Sequence, residues 1–187
     1  MTNDLNNLTA ISPIDGRYLS QVINLSNYFS EYALFKYRIR IELVYLIFLS
    51  NEKITRGLTK KEEKEIRKIY EKFSPEDAQK IKELEKETKH DIKAVEYFIR
   101  QKFAHTSLSN MKKWIHFGLT SNDINDNAYR LIMKDSLKEI IVPEINNIVI
   151  TLQTIAKKYI KLPMLARTHG QPAVPTTFGK EIAVFSS

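Results

Sequence analysis

The 187-residue sequence contains no cysteine. Disulfides, thiolate metal sites and a cysteine nucleophile are thereby excluded. Glycine and proline are sparse, at five and six residues, so long stretches lack chain breakers and favour helix. No apolar run approaches the ~20 residues that a membrane span requires. The longest, Leu43–Leu49, has seven residues and reads as buried helix. Met1–Asn7 is polar and lacks the apolar centre of a secretory leader, so a cytoplasmic protein with no membrane partner is expected. Also missing are a glycine-rich phosphate loop, a His-x-x-x-His pair, a dense carboxylate cluster and a Gly-x-Ser-x-Gly elbow. Neither a metal nor another cofactor is expected on that pattern.

Apolar residues make up 43% and charged residues 27%, a core-forming composition. The net charge of +7 is not gathered into a stripe. Lys60–Lys89 interleaves ten Lys/Arg with nine Asp/Glu, as expected of solvated helix faces with i,i+4 pairs rather than a nucleic-acid surface. No nucleic-acid partner is expected. A basic excess does suit small anionic substrates.

The periodicity predicts an all-α fold with no strand-period segment. Leu8–Tyr18 is irregular, with Pro13, Asp15 and Gly16 as turn formers. Ser30 caps a helix running to about Asn51, whose second half is apolar nearly all round and should lie deep in a core. Charged amphipathic helices follow at Thr59–Phe73, opened by a Thr59/Glu62 capping box, and at Ser74–Thr88, opened by Ser74-Pro75. A further helix spans Asp91–Phe103 with Ile92, Val95, Phe98 and Ile99 on one face. After a short piece at Met111–Phe117, a helical pattern runs from Thr120 to about Ile160, interrupted only by Pro143, which should kink or split it. Another helix begins near Thr176. Domains are expected at residues 1–112 and 113–187. The long helices lack enough partners in the chain to bury their apolar stripe, so the chain either oligomerises or is the first part of a longer protein.

Chemistry concentrates at three helix starts. Thr88-Lys89-His90-Asp91, Thr120-Ser121-Asn122-Asp123 and Pro175-Thr176-Thr177 each bring hydroxyls or free N–H groups to the positive end of a helix, which attracts anions. His90 lies at one such end and His169 precedes another. Histidine titrates near neutrality and protonates leaving groups. Plain alternatives stand beside these readings. Thr88/Asp91 and Thr120/Asp123 also fit ordinary capping boxes. His116, beside Trp114 and Phe117, fits a core histidine as well as a site residue. His105 fits a surface loop, and Arg17 a surface cation. His169 is set in a Gly170-Gln171-Pro172 context that shapes the local backbone.

The segments LTAISPIDGRY (8–18), KHDIKAVEYF (89–98), HFGLTSNDIND (116–126) and ARTHGQPAVPTTFGKE (166–181), in that order, resemble the N-terminal part of the adenylosuccinate lyase family, within the fumarase/aspartase superfamily. The resemblance covers essentially the whole chain. It implies an L-aspartase-like fold: an N-terminal bundle of short helices and the first long helices of a central bundle, truncated. It implies a carbon–nitrogen lyase that cleaves adenylosuccinate to AMP and fumarate by β-elimination, and the related succinylcarboxamide ribotide in the same way.

By motif, His169 would be the general acid, with His90 shaping its environment. Arg17 and Tyr18 would hold the phosphate side of the substrate. Lys89, His90, Asp91 and Gln171 would contact substrate, Thr120 and Ser121 would bind the succinyl carboxylate, and His116 would lie close by. The family works as a homotetramer without cofactor. Its general base is a serine on a mobile loop that has no counterpart within these 187 residues, so the chain alone is expected to be inactive. Rival readings are another superfamily lyase, such as an argininosuccinate lyase, or a non-catalytic helical interaction module.

Overall fold

Side-chain caps place the helix starts. In the computed structural model, which describes residues 8–186, the Ser30 side chain accepts the Ala33 N–H, Ser74 accepts that of Asp77, and Thr59 and Glu62 form a reciprocal capping box. Met1–Asn7, read above as polar and leaderless, lies outside the described residues. The chain comprises two compact units, Met1–Asp135 and Ser136–Ser187.

The first unit begins with a turn at Ser12–Tyr18 and the short helical segments α1 (Leu19–Val22) and α2 (Ser26–Phe29). Then come α3 (Glu31–Asn51), α4 (Lys60–Glu71), α5 (Pro75–Thr88), α6 (Asp91–Phe103), a 3-10 segment at Ser109–Trp114, and α7 (Ser121–Ser136). α3 supplies the spine of one core, in which Phe35, Ile39, Leu43 and Leu46 meet Ile66 of α4, Ile81 of α5 and the Phe98/Ile99 face of α6. The face expected on α6 is buried throughout. The end of α3 is less enclosed than its composition suggests: Val44 and Phe48 are 41% and 52% exposed. The opposite side of the helix, through Leu43, Leu46, Ile47 and Leu49, takes the core contacts.

One expected cap is corrected. Thr88 does not cap α6; it is the last residue of α5, and Lys89 follows in the left-handed conformation, with φ 54°. His90 is the cap, its ring Nδ1 accepting the Lys93 N–H at 3.3 Å.

In the second unit the break expected at Pro143 is a π turn, Leu137–Ile141, followed by α8 (Val142–Lys158). The Val142 N–H donates to Leu137 O, five residues back. Proline lacks an N–H and its ring crowds the preceding turn; here it occupies the first turn of α8, after one widened turn.

The reading that no strand occurs is also corrected. Pro163–Thr168 (β1) and Gln171–Thr177 (β2) pair antiparallel, with a bulge between Leu165 and Arg167. Three prolines, at 163, 172 and 175, remove ladder donors and hide the two-residue period. Thr177 then caps α9 (Phe178–Ala183) by accepting the Lys180 N–H. α9 packs tightly on α8 at Gly179: a Cβ there would lie 2.4 Å from Ala156 O. Apart from the hairpin, the described regular structure is helical, as expected.

Candidate active site

In the first unit the motif at 88–91 is built by the junction of two helices. The Thr88 hydroxyl donates to His90 O at 3.0 Å, fixing the tight link between α5 and α6. His90 remains exposed. Asp91 accepts the Ile92 N–H at 2.8 Å on one oxygen and Arg38 Nη2 at 2.7 Å on the other. Partial burial pulls the Asp91 carboxyl upward, but the Ile92 N–H and the Arg38 guanidinium outweigh it and hold the group below its ordinary value. Arg38 also donates from Nε to Asn125 Oδ1 at 2.9 Å, joining α6 to α7 through α3.

The segment at 116–123 is likewise drawn onto α3. His116 has a left-handed backbone, φ 61°, an uncommon state for a residue with a side chain. Glu42 compensates by accepting the His116 N–H at 3.1 Å on one oxygen while the other pairs with ring Nδ1 at 2.5 Å. This hydrogen bond raises the His116 pKa; burial opposes it, and the negative charges of Glu42 and Glu96 add to it. His116 is thus neither a free site residue nor a plain core residue: it is half-buried and held by a buried carboxylate.

Thr120 and Asp123 do form the expected capping box. Asp123 Oδ2 accepts the Thr120 N–H and hydroxyl at 2.7 and 2.8 Å, and the Asp123 N–H returns to Thr120 Oγ1 at 3.4 Å. These bonds keep the Asp123 carboxyl below the usual range. Ser121 opens α7 itself. Arg17 and Tyr18 follow the Ser12–Tyr18 turn, both exposed, with the guanidinium 5.4 Å from the tyrosine ring centroid. Lys89 is exposed.

In the second unit, His169 and Gly170 form the two-residue tip of the β1–β2 hairpin, with φ 49° and 75°. Two successive positive φ angles are what a type I′ hairpin turn requires. Glycine meets that demand freely, and histidine is among the few other residues enriched in this region. The tip holds His169 and Gln171 exposed. A groove of about 960 Å³ in the first unit, against Tyr97, Arg100, Lys112 and Lys113, includes none of the candidate site residues.

Three contributors escaped the sequence reading: Arg38, Glu42 and Asn125. A signal existed for two of them. Arg38 and Glu42 fall at helical spacing with Phe35, Ile39 and Leu46, and a charge on a buried face requires a partner.

In the first unit a helical scaffold holds Asp91, His116 and Asn125 on α3, and comparison with known proteins identifies the class to which it belongs. The lyase family profile matches residues 16–187, and the chain belongs to that family. Within it, the chain is similar to adenylosuccinate lyases. It is 51% identical to that of Dictyostelium discoideum over 189 residues, which covers 97% of this chain and 40% of the relative. It is 46% identical to that of Buchnera aphidicola (97% and 41%) and 40% identical to that of Escherichia coli (96% and 40%). The chain therefore spans about 40% of the length of these curated relatives.

Two solved structures share the fold. A fumarate lyase from Mesorhizobium sp. BNC1 matches with TM-score 0.71 at 22% identity, covering 88% of this chain and 36% of that one. A β-carboxy-cis,cis-muconate cycloisomerase from Acinetobacter calcoaceticus sp. ADP1 matches with TM-score 0.65 at 19% identity (88% and 37%). At these identities the likeness concerns the fold alone.

Proposed function

We propose that this chain is the N-terminal portion of an adenylosuccinate lyase. The whole enzyme cleaves adenylosuccinate to AMP and fumarate, and succinylcarboxamide ribotide in the same way. The observation that carries the reading is the conjunction of 40–51% identity to adenylosuccinate lyases with the first unit's gathering of the 90–91, 116 and 120–125 motifs on α3.

In the β-elimination, a base takes the proton from the carbon beside a carboxylate. The C–N bond breaks and its electron pair passes to the purine nitrogen, which an acid protonates. We assign the acid to His169, displayed at its hairpin tip, with His90 as its companion and Gln171 beside it as a substrate contact. Arg17 and Tyr18 take the phosphate side. Lys89 and Asp91 contact substrate. Thr120 and Ser121, at the N-terminus of α7, take the succinyl carboxylate, which the positive end of the helix dipole attracts. Nothing in the 187 residues matches the family's serine base loop, so the chain alone is inactive. The working protein is a cytoplasmic homotetramer whose domains divide near residue 112.

The test is His169→Ala in the protein expressed from its full reading frame, with fumarate release followed on adenylosuccinate. Loss of a general acid is expected to lower kcat by at least ~10²-fold. An unimpaired variant removes His169 from the role, and turnover by the unaccompanied 187-residue chain removes the claim that it is inactive.

A further inference from the structure

α3 carries two buried ionisable side chains that its core does not need. Arg38 is 5% and Glu42 1% exposed, and their four-residue spacing puts them on one helix face. Buried charges are costly unless paired and hydrogen-bonded. Each is paired here, and the partners belong to or adjoin the candidate site. Arg38 holds Asp91 at 2.7 Å and Asn125 at 2.9 Å. Glu42 holds the backbone and ring of His116 at 3.1 and 2.5 Å. Three motifs far apart in the sequence are thus attached to one turn of one helix.

We propose, resting on the functional reading above, that Arg38 and Glu42 are positioning residues. Without touching substrate, they hold Asp91, His116 and the start of α7 as one anion-recognising surface. Glu42 occupies Nδ1 of His116 and leaves Nε2 as the ring nitrogen for a ligand. It also holds the left-handed backbone at this position, which disfavours any residue with a Cβ.

The charged groups acting on the His116 ring are Glu42 from α3, Glu96 and Lys93 from α6, and Asp123 at the start of α7. The carboxylates prevail, so the imidazolium persists to higher pH than in a free histidine. Its attraction for an anion is complete below the ordinary histidine range and is lost as pH rises through the elevated value.

The experiment compares Glu42→Gln, Glu42→Asp, His116→Asn and the Glu42→Gln/His116→Asn double variant. All are made in the protein expressed from its full reading frame, with adenylosuccinate as the probe and circular dichroism as the check on folding. Turnover by the unsubstituted protein comes first; its absence refutes the functional reading, and this proposal with it. Given turnover, E42Q is expected to raise KM ~10–100-fold, the effect of losing a hydrogen bond to a charged group, with a smaller change in kcat. Its KM is expected to start rising at lower pH. The double variant is expected to be no worse than H116N, because Glu42 acts through His116. If E42Q does not fold, E42D retains the charge and is expected to raise KM while leaving the pH of that rise in place. A folded E42Q, or in its place E42D, with unchanged KM overturns the proposal, as do losses that multiply in the double variant.

Discussion

Glu62 shows how a single residue joins local and tertiary demands. As the third residue of α4 it closes the capping box with Thr59, and it also takes a two-pronged contact from Arg56, at 2.7 and 3.1 Å. The Arg56 hydrogen bonds draw its pKa from 4.5 to about 2; burial opposes them and the Thr59 N–H assists. A depressed carboxyl contributes stability that is present above the unfolded value and is lost as pH falls toward the folded one. Glu62→Gln should therefore destabilise the fold by about 1.5–3 kcal/mol at neutral pH. The difference should shrink between pH 4.5 and about 2; denaturant melts across that window measure it. The capping box was legible in the sequence because its partners are three residues apart. Arg56 was not, because its approach depends on the α3–α4 connection. The same division separates Thr120/Asp123, foreseen as a box, from Glu42/His116, whose partners lie 74 positions apart.

Among the elements, the 163–177 segment diverged most from expectation. Its glycine and prolines announced a shaped loop around His169, and a shaped tip is present. The strands on either side were hidden because proline breaks the alternation from which strands are read. The hairpin is mostly exposed, and an isolated two-stranded hairpin has little stability of its own. Its anchorage comes through the adjoining helices: Gly179 N–H donates to Tyr159 O at 3.1 Å and Phe178 N–H to Leu162 O at 2.9 Å. Close approach at Gly179 leaves no room for a methyl group, the obstructing atoms being backbone of α8 and the residues just after it. Gly179→Ala should cost about 1–3 kcal/mol through overpacking, measured as a lowered thermal midpoint. A variant as stable as the parent would show that α9 does not sit against α8 so closely.

At the scale of the whole chain, the uncovered apolar surface is decisive. In the second unit Leu137, Ile145 and Ile148 are 40%, 51% and 60% exposed, at spacings that place them along one side of a helix. Apolar patches of this kind are interaction surfaces or aggregation liabilities. The 187-residue chain should self-associate, and sedimentation at about 10 µM should give a mass that rises with concentration. A single monomeric species would contradict this. No described helix is long and apolar enough to cross a membrane.

By itself, the sequence determined the helical class, the helix starts from α3 onward and the motif set, because caps, breakers and apolar periods act over three or four residues. Only the tertiary structure decided which charges inside α3 would be buried and what they would hold. It also decided that His90 rather than Thr88 caps α6, that His169 sits at a hairpin tip, and that His116 carries a carboxylate partner. Each of those depends on groups that are distant along the chain and adjacent only after the core has formed, where lost water makes every remaining polar contact count.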